Sequence, residues 1–185
     1  MTARYIDSLR NQRISGFQWQ DPEDESDRKM FRDILEYGFQ VIGVDAGQDS
    51  PDFAYSVGLY LNFLHPEILI MGMSSVACFE AISQIAREAA AGKVASVGDT
   101  RSDLFEVQRS VRFVPVDKAR YYDYLGYAAW FYRSLFYLPP KLECKFPVLQ
   151  VLWPDRNLVY PDDPRCDENV CRVQTLVPMP RQYRD

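Results

Sequence analysis

Residues 53–73 read FAYSVGLYLNFLHPEILIMGM and predict two strands joined by a turn that holds the single histidine of the chain, His65. From Phe53 to Tyr60, large apolar side chains alternate with smaller ones, the period of a strand with one apolar face. The run from Ile68 to Met73 is apolar almost throughout, which is typical of a strand covered on both faces, or of a buried helix segment. Pro66 disfavours helix at the residue before it, so we expect His65 in extended backbone where the second strand begins.

The composition predicts one cytoplasmic domain. The chain has 185 residues, of which 47% are hydrophobic, enough for one domain with its own core. A net charge of −5 disfavours a nucleic-acid-binding surface, which needs clustered Lys and Arg. The first residues lack the apolar core of a signal peptide, and no apolar run approaches the ~18 residues of a membrane span. The four cysteines are therefore expected to be reduced thiols in the cytoplasm.

The remaining helix and strand signals contain no repeat and no linker. One predicted helix begins at the capping residue Asp21 or Ser26 and ends at Gly38. A second runs from Ser74 or Ser75 to Gly92. Further strands are predicted at 39–45, at 104–107 and 111–116 (two strands or one bent strand) and at 146–153, and a helix buried all round is predicted at 120–138.

These elements predict an α+β fold rather than a regular βαβ alternation. We expect a single domain with a mixed, mainly antiparallel sheet of about five to six strands, packed with about two to three helices. The core domain is predicted at 21–160, between an N-terminal arm at 1–20 and an irregular C-terminal tail at 161–185. Apolar residues of the arm, among them Phe17 and Trp19, pack on their own domain or contact a partner.

Five blocks of the sequence occur in the order of a known family pattern: FAYSVGL, HPEILIMGM, FVPV, YLGYAAWFYR and FPVLQVLWPD. On these blocks the chain resembles the bacterial domain-of-unknown-function 4262 family over about residues 38–160. The resemblance implies a small, cytosolic, stand-alone bacterial protein, and it implies no particular activity. The residues of this chain that match the pattern are Tyr55, Gly58, Leu59, His65, Pro66, Glu67, Gly72, Tyr127, Trp130, Tyr132, Trp153, Pro154 and Asp155.

His65 and Glu67 form the sharpest candidate pair for chemistry. A histidine titrates near neutrality and can act as a general acid or base, and a nearby carboxylate can orient it. Residues two apart on a strand share a face only if Pro66 does not twist the chain. The competing interpretation is structural: His65 caps the turn, and Glu67 faces solvent or pairs with an arginine.

The abundance of Tyr and Trp is the second candidate feature. These residues join apolar area to a polar group, as ligand sites require, although an all-aromatic helix is more often core. The hypothetical ligand-binding residues of such an aromatic cleft are Tyr55, Tyr127, Trp130, Trp153 and Asp155.

Metal and cofactor chemistry has little support in the sequence. One histidine does not complete a structural zinc site, and a carboxylate site built from Asp45, Asp52 and Asp155 is the weaker interpretation. Cys166 and Cys171 are expected to be two thiols of the tail, or a disulfide if the protein meets an oxidant. No P-loop or dinucleotide-binding motif occurs, so no cofactor is predicted.

Three functions follow from these patterns. The first is a small-molecule- or peptide-binding domain with an aromatic cleft near His65 and Glu67. The second is a hydrolase or lyase in which His65 is the general acid or base and Glu67 orients it. The third is a protein interaction module, of the immunity or regulatory kind, that binds a protein partner or a second copy of the chain.

Overall fold

The computed structural model describes residue 14 and residues 17–47, 51–105, 110–135 and 146–174. Six strands form one sheet in the order β1-β2-β3-β6-β5-β4. The strands are β1 (Gln40–Val44), β2 (Phe53–Val57), β3 (Glu67–Met71), β4 (Thr100–Arg101), β5 (Val111–Pro115) and β6 (Val148–Leu152).

The sheet is mixed and mainly antiparallel, as predicted. β1, β2 and β3 are successive antiparallel neighbours, and so are β4, β5 and β6. The two antiparallel halves meet where β3 pairs with β6 in parallel, with Ile68 opposite Leu149. β1 and β2 form an antiparallel hairpin, with Ile42 opposite Tyr55.

Six helices accompany the sheet in the part of the chain that the structure describes. They are α1 (Glu25–Tyr37), α2 (Leu59–Phe63), α3 (Ser75–Ala90), α4 (Tyr121–Tyr124), α5 (Gly126–Phe131) and α6 (Glu168–Val173). Two of the three predicted helices correspond to α1 and α3. Ser74 caps α3 by accepting a hydrogen bond from the Ala77 backbone N–H.

The start of α1 differs from both predicted positions. Asp24 is the capping residue, and its carboxylate accepts a hydrogen bond of 2.9 Å from the backbone N–H of Asp27. Asp21 and Pro22 precede the helix instead of starting it. The predicted end is confirmed, because Gly38 adopts the left-handed conformation with φ of 88°.

The predicted strand at 53–60 ends early, since the chain turns into α2 at Leu59. Gly58 makes this turn with φ of 108°, in the left-handed region that glycine enters without strain. A Cβ atom there would also come within 3.0 Å of the Gly38 carbonyl oxygen. The alternation of large and small residues thus continues in the sequence beyond the strand.

Two other predicted elements are corrected. Leu104 and Phe105 form bends rather than a strand, and the partner of β5 is β4, at Thr100–Arg101. The aromatic segment 120–138 is not one helix over its described part. It divides into α4 and α5, with a 3₁₀ turn at each end, at Lys118–Arg120 and Arg133–Leu135.

Each face of the sheet carries its own core. The first face packs against α1, α4 and α5 through side chains such as Tyr55, Leu69 and Phe131. The second face packs against α3 through side chains such as Ile70 and Ile82. Alternate residues of β2 and β3 enter opposite cores, which explains why both strands are buried throughout.

The ends of the described chain pack on the sheet domain. Phe17 is buried, and its ring lies 5.1 Å from that of Phe131, so this part of the predicted arm contacts its own domain. The predicted irregular tail contains the short helix α6. Within the described residues, no helix has the length and apolar character that crossing a bilayer requires.

Candidate functional site

His65 is held as a neutral imidazole by two backbone groups. The Ala95 N–H donates to Nε2 at 3.0 Å, so Nε2 must carry a lone pair. Nδ1 therefore carries the hydrogen and donates to the Pro66 carbonyl oxygen at 2.6 Å. The residue is 1% exposed, and burial lowers the pKa of His65, which also favours the neutral form.

The imidazole of His65 lies at the edge of a cavity of about 500 Å³. Four parts of the chain meet there: the C-terminal half of α3, the loop at 93–99, β4 and β5. The other lining residues are Ile85, Glu88, Lys93, Val94, Ala95, Gly98, Asp99, Thr100, Arg101 and Phe113. Because the Ala95 N–H bonds to His65, the loop that forms one wall is tied to the segment that precedes β3.

An ion-pair cluster forms the polar side of this cavity. Arg101 binds both carboxylate oxygens of Glu88, at 2.9 and 2.8 Å, and it also binds Asp103 at 3.0 and 2.8 Å. Its hydrogen bonds hold the pKa of Glu88 below its usual range. The ammonium of Lys93 forms no ion pair with any residue that the structure describes.

The carboxylate of Glu67 belongs to a separate, fully buried network. Oε2 accepts from the Ser56 hydroxyl at 2.5 Å, and Oε1 accepts from the Tyr132 phenol at 2.5 Å. The backbone N–H groups of Gly58 and Tyr60 also donate to Oε1, at 2.9 and 3.0 Å. Burial raises the pKa of Glu67, while these four donors act in the opposite direction.

The Glu67 network closes the N-terminus of α2. Free N–H groups at a helix start need acceptors, and a carboxylate there also interacts favourably with the helix dipole. Tyr132 completes the cap, because its hydroxyl accepts from the Leu61 N–H at 3.2 Å while it donates to Glu67. The arrangement explains why a charged residue of β3 is buried.

The predicted pairing of His65 with Glu67 is not formed. His65 faces the cavity beside Ile85 and Phe113, on the α3 side of the sheet. Glu67 bonds to Tyr132, in the core on the opposite side. Pro66 turns the chain before β3, so the two residues do not share a strand face. Both ring nitrogens and both carboxylate oxygens bond to other groups.

The aromatic residues of the predicted cleft contact neighbouring elements of the fold. The Tyr55 hydroxyl accepts from the backbone N–H of Tyr127 at 3.2 Å, and burial raises the pKa of Tyr55 to about 12. Trp130 stacks on Phe31 with ring centroids 5.7 Å apart. Tyr127 is 38% exposed. These residues stabilise the contact between β2, α1 and α5.

Trp153 and Asp155 have structural partners at the other end of the sheet. The Trp153 indole donates to the Met71 carbonyl oxygen at 2.9 Å. The carboxylate of Asp155, 2% exposed, accepts from three backbone N–H groups at 2.8–3.0 Å. Those donors belong to Asn157, Val159 and Asp167.

The structure therefore divides the predicted site residues among several places instead of bringing them to one cleft. His65 and Trp153 lie with the core beside α3, whereas Tyr55, Glu67 and Trp130 lie with the core beside α1. Four of the ten cavity residues that sequence reasoning missed are charged, and three of these four, Lys93, Asp99 and Arg101, lie in one segment. Their only signal was the Gly-, Ser- and Asp-rich segment at 92–103, which predicts a loop.

A second, more apolar depression of about 380 Å³ lies across the loop from the cavity. Val94 and Ala95 line both hollows, and Leu64, Val97 and Pro147 are among the apolar residues of the second. Among the described residues, no group of three or more His, Cys, Asp or Glu side chains is arranged to hold a metal ion.

Comparison with known proteins gives one result. The family described as Domain of unknown function (DUF4262) matches residues 33–167. Comparison with the curated proteins finds no match, and comparison with the solved structures finds none either. The match spans α1 to the Asp155 loop, and so includes the whole sheet and the cavity beside His65. The chain belongs to the DUF4262 family.

Proposed function

We propose that the protein is a small-molecule-binding domain and that its ligand occupies the cavity beside His65. The observation that carries this proposal is the cavity itself, about 500 Å³ in volume and lined by charged and polar groups from separate elements. Binding sites for small molecules are typically concave and largely pre-formed, with a few polar groups that fix orientation. The bond from Ala95 to His65 supplies that pre-formed wall.

Two acidic and two basic residues line the cavity, and Lys93 is the basic residue that suits an anionic group of a ligand. Arg101 is occupied by Glu88 and Asp103, so its positive charge is already compensated. Lys93 is the lining cation without an ion pair among the described residues. A carboxylate or phosphate of the ligand would neutralise it, while Thr100 offers a hydroxyl for hydrogen bonding.

The enzyme alternative has less support from the geometry. A general base needs a lone pair directed at its substrate, and the Nε2 lone pair of His65 accepts from Ala95. Glu67 is 1% exposed and already accepts four hydrogen bonds. In this arrangement His65 positions the loop of the binding site.

Calorimetric titration with a panel of small carboxylates and phosphates tests the proposal. We expect at least one to bind, and we expect Lys93→Gln to weaken that binding about tenfold, the scale of a lost hydrogen bond to a charged group. Thr100→Trp, which fills the cavity, should abolish it. The matched control is Lys118→Gln, because Lys118 lines the second depression and not the cavity.

Two results would contradict the proposal. One is a panel in which no compound binds. The other is a compound that binds the wild type and Thr100→Trp equally, which would place its site elsewhere on the protein. Circular dichroism of Thr100→Trp must match that of the wild type, so that a loss of binding reflects the filled cavity and not a folding defect.

A peptide ligand is the second candidate, and the apolar depression is the observation that favours it. Leu64, Val94 and Val97 are 43%, 48% and 62% exposed around that hollow, an unusual grouping for a solvated surface. An apolar peptide segment would cover them. Selection from a displayed peptide library should then yield apolar sequences whose binding is lost in Val97→Asp. Peptide binding that persists in this variant would exclude the depression as the binding site.

A further inference from the structure

Two cysteines lie on either side of a helix cap near the end of the described chain. Cys166 and Cys171 flank Asp167, the capping residue of α6. The Cys166 thiol lies 3.4 Å from the Val159 carbonyl oxygen, and the Cys171 thiol lies 3.9 Å from the Pro161 carbonyl oxygen. These two carbonyl groups belong to one segment, so both thiols lie against residues 159–161. Both are reduced in this structure.

We propose that Cys166 and Cys171 are a site of reversible thiol oxidation, where an intramolecular disulfide joins the start of α6 to the turn before it. The backbone already holds the two residues in this arrangement. The N–H of Cys166 donates to the Asp163 carbonyl, and that of Cys171 donates to the Asp167 carbonyl. Cys166 directly precedes the cap and Cys171 is the fourth residue of the helix, two positions whose side chains pack against each other, as a disulfide requires.

The disulfide would act on the contact between α6 and the sheet. Gln174, directly after α6, holds the backbone of Trp153 with two hydrogen bonds, at 3.1 and 3.0 Å. Val173 packs so close to Gly72 that a Cβ atom there would come within 2.6 Å of its side chain. A covalent bond at the start of α6 restricts the local opening that breaks these contacts.

The oxidant is a hydroperoxide, and the reaction balances in two steps. Cys171, the more exposed thiol, attacks the terminal peroxide oxygen as its thiolate; the O–O bond breaks, an alcohol or water leaves, and a sulfenic acid forms. The Cys166 sulfur then attacks the Cys171 sulfur, the S–O bond breaks, and water leaves. Burial raises the pKa of Cys166 to about 12, so this second step is expected to be slow.

The test treats the reduced full-length chain with hydrogen peroxide, blocks remaining thiols by alkylation, and maps cross-linked peptides by mass spectrometry. We expect free thiols to fall from four to two, with Cys166 bonded to Cys171, and dithiothreitol to restore all four. Cys166→Ser and Cys171→Ser should each prevent the cross-link. Cys78→Ser is the matched control and should leave it intact, because Cys78 is a fully buried thiol of α3.

A second readout reports on α6 itself. Trypsin cuts after Arg172, an exposed residue of this helix, only when the helix opens. Oxidation should slow that cut about tenfold in the wild type and not in the Cys166→Ser variant. The proposal is overturned if both thiols remain alkylatable after peroxide treatment. It is also overturned if the bond joins other cysteines or two chains, or if oxidation leaves the rate of cleavage unchanged.

Discussion

The carboxylate of Glu67 accepts a 2.5 Å hydrogen bond from the phenol of Tyr132, a residue 65 positions further along the chain. This contact joins β3 to the segment that follows α5, and both partners are almost wholly buried. It holds the first turn of α2 as well, because Glu67 and Tyr132 accept the N–H groups there. The network therefore unites three parts of the fold, and its role is structural.

Removing the phenol should destabilise the protein without changing its fold. Tyr132→Phe leaves the Leu61 N–H without its acceptor and removes one of the three donors to Glu67 Oε1, which costs about 1–3 kcal/mol in the free energy of unfolding. Urea denaturation measures this loss. Tyr37→Phe, at a residue 61% exposed, is the control and should change the stability by less than about 0.5 kcal/mol. Equal stabilities of the two variants would contradict this role.

The only histidine should titrate below its ordinary value. Burial lowers the pKa of His65 from 6.5, and protonation would place a hydrogen on Nε2 against the Ala95 N–H. Proton NMR of the imidazole gives a single titration, which we expect to have its midpoint below pH 6.5. A midpoint at or above 6.5 would show that the Ala95 bond is not maintained.

The same histidine should make stability depend on pH. Its pKa is lower in the folded state, so below pH 6.5 the unfolded state binds more protons. The stabilisation is fully present above pH 6.5 and is lost as the pH falls through the folded pKa. The free energy of unfolding, measured from pH 7.5 to 5, should show this decline in the wild type. His65→Gln should lack that component, and an unchanged profile would contradict the assignment.

Gly58 should tolerate no side chain. Gly58→Ala places a Cβ at positive φ, 3.0 Å from the Gly38 carbonyl oxygen and 3.1 Å from Ile34, and we expect a loss of about 1–3 kcal/mol. Thermal denaturation measures it. Gly43→Ala is the matched control, since Gly43 lies in β1 with nothing within 4 Å of the added Cβ. That variant should be neutral or slightly stabilised. If Gly43→Ala were less stable than Gly58→Ala, the turn geometry at Gly58 would be refuted.

Asp155 should prove to be a structural residue. Asp155→Ala removes the acceptor of three backbone N–H groups, with an expected loss of about 3 kcal/mol. Asp163→Ala is the control, because its ion pair with Arg165 is solvent-exposed and should contribute little. Urea denaturation compares the two. A stable Asp155→Ala variant that had lost binding of a divalent ion would favour the carboxylate site instead.

Several features of the fold could be predicted from the sequence because their causes are local. The alternation in β2, the apolar run of β3 and the proline before it specify two adjacent strands around His65. The serine cap of α3 and the left-handed Gly38 after α1 involve groups within a few residues of each other. The candidate site was predictable only at His65, the one histidine of the chain, which lies just before a buried strand.

The rest depended on partners far apart in the sequence. Leu59 to Phe63 form a helix rather than the end of a strand because Glu67 and Tyr132 accept the N–H groups of its first turn. His65 separates from Glu67 because each finds hydrogen-bond partners on a different side of the sheet. The spacing of residues along the chain does not reveal these distant partners.

The sequence by itself determined the class of fold, since side-chain period, capping residues and turn residues act over a few positions. Only the tertiary structure decided which polar groups face a cavity and which form hydrogen bonds at helix ends. A buried carboxylate or imidazole takes whichever donors and acceptors the packed chain brings within about 3 Å of it. For this protein those groups come from Tyr132, Ala95 and the ends of short loops.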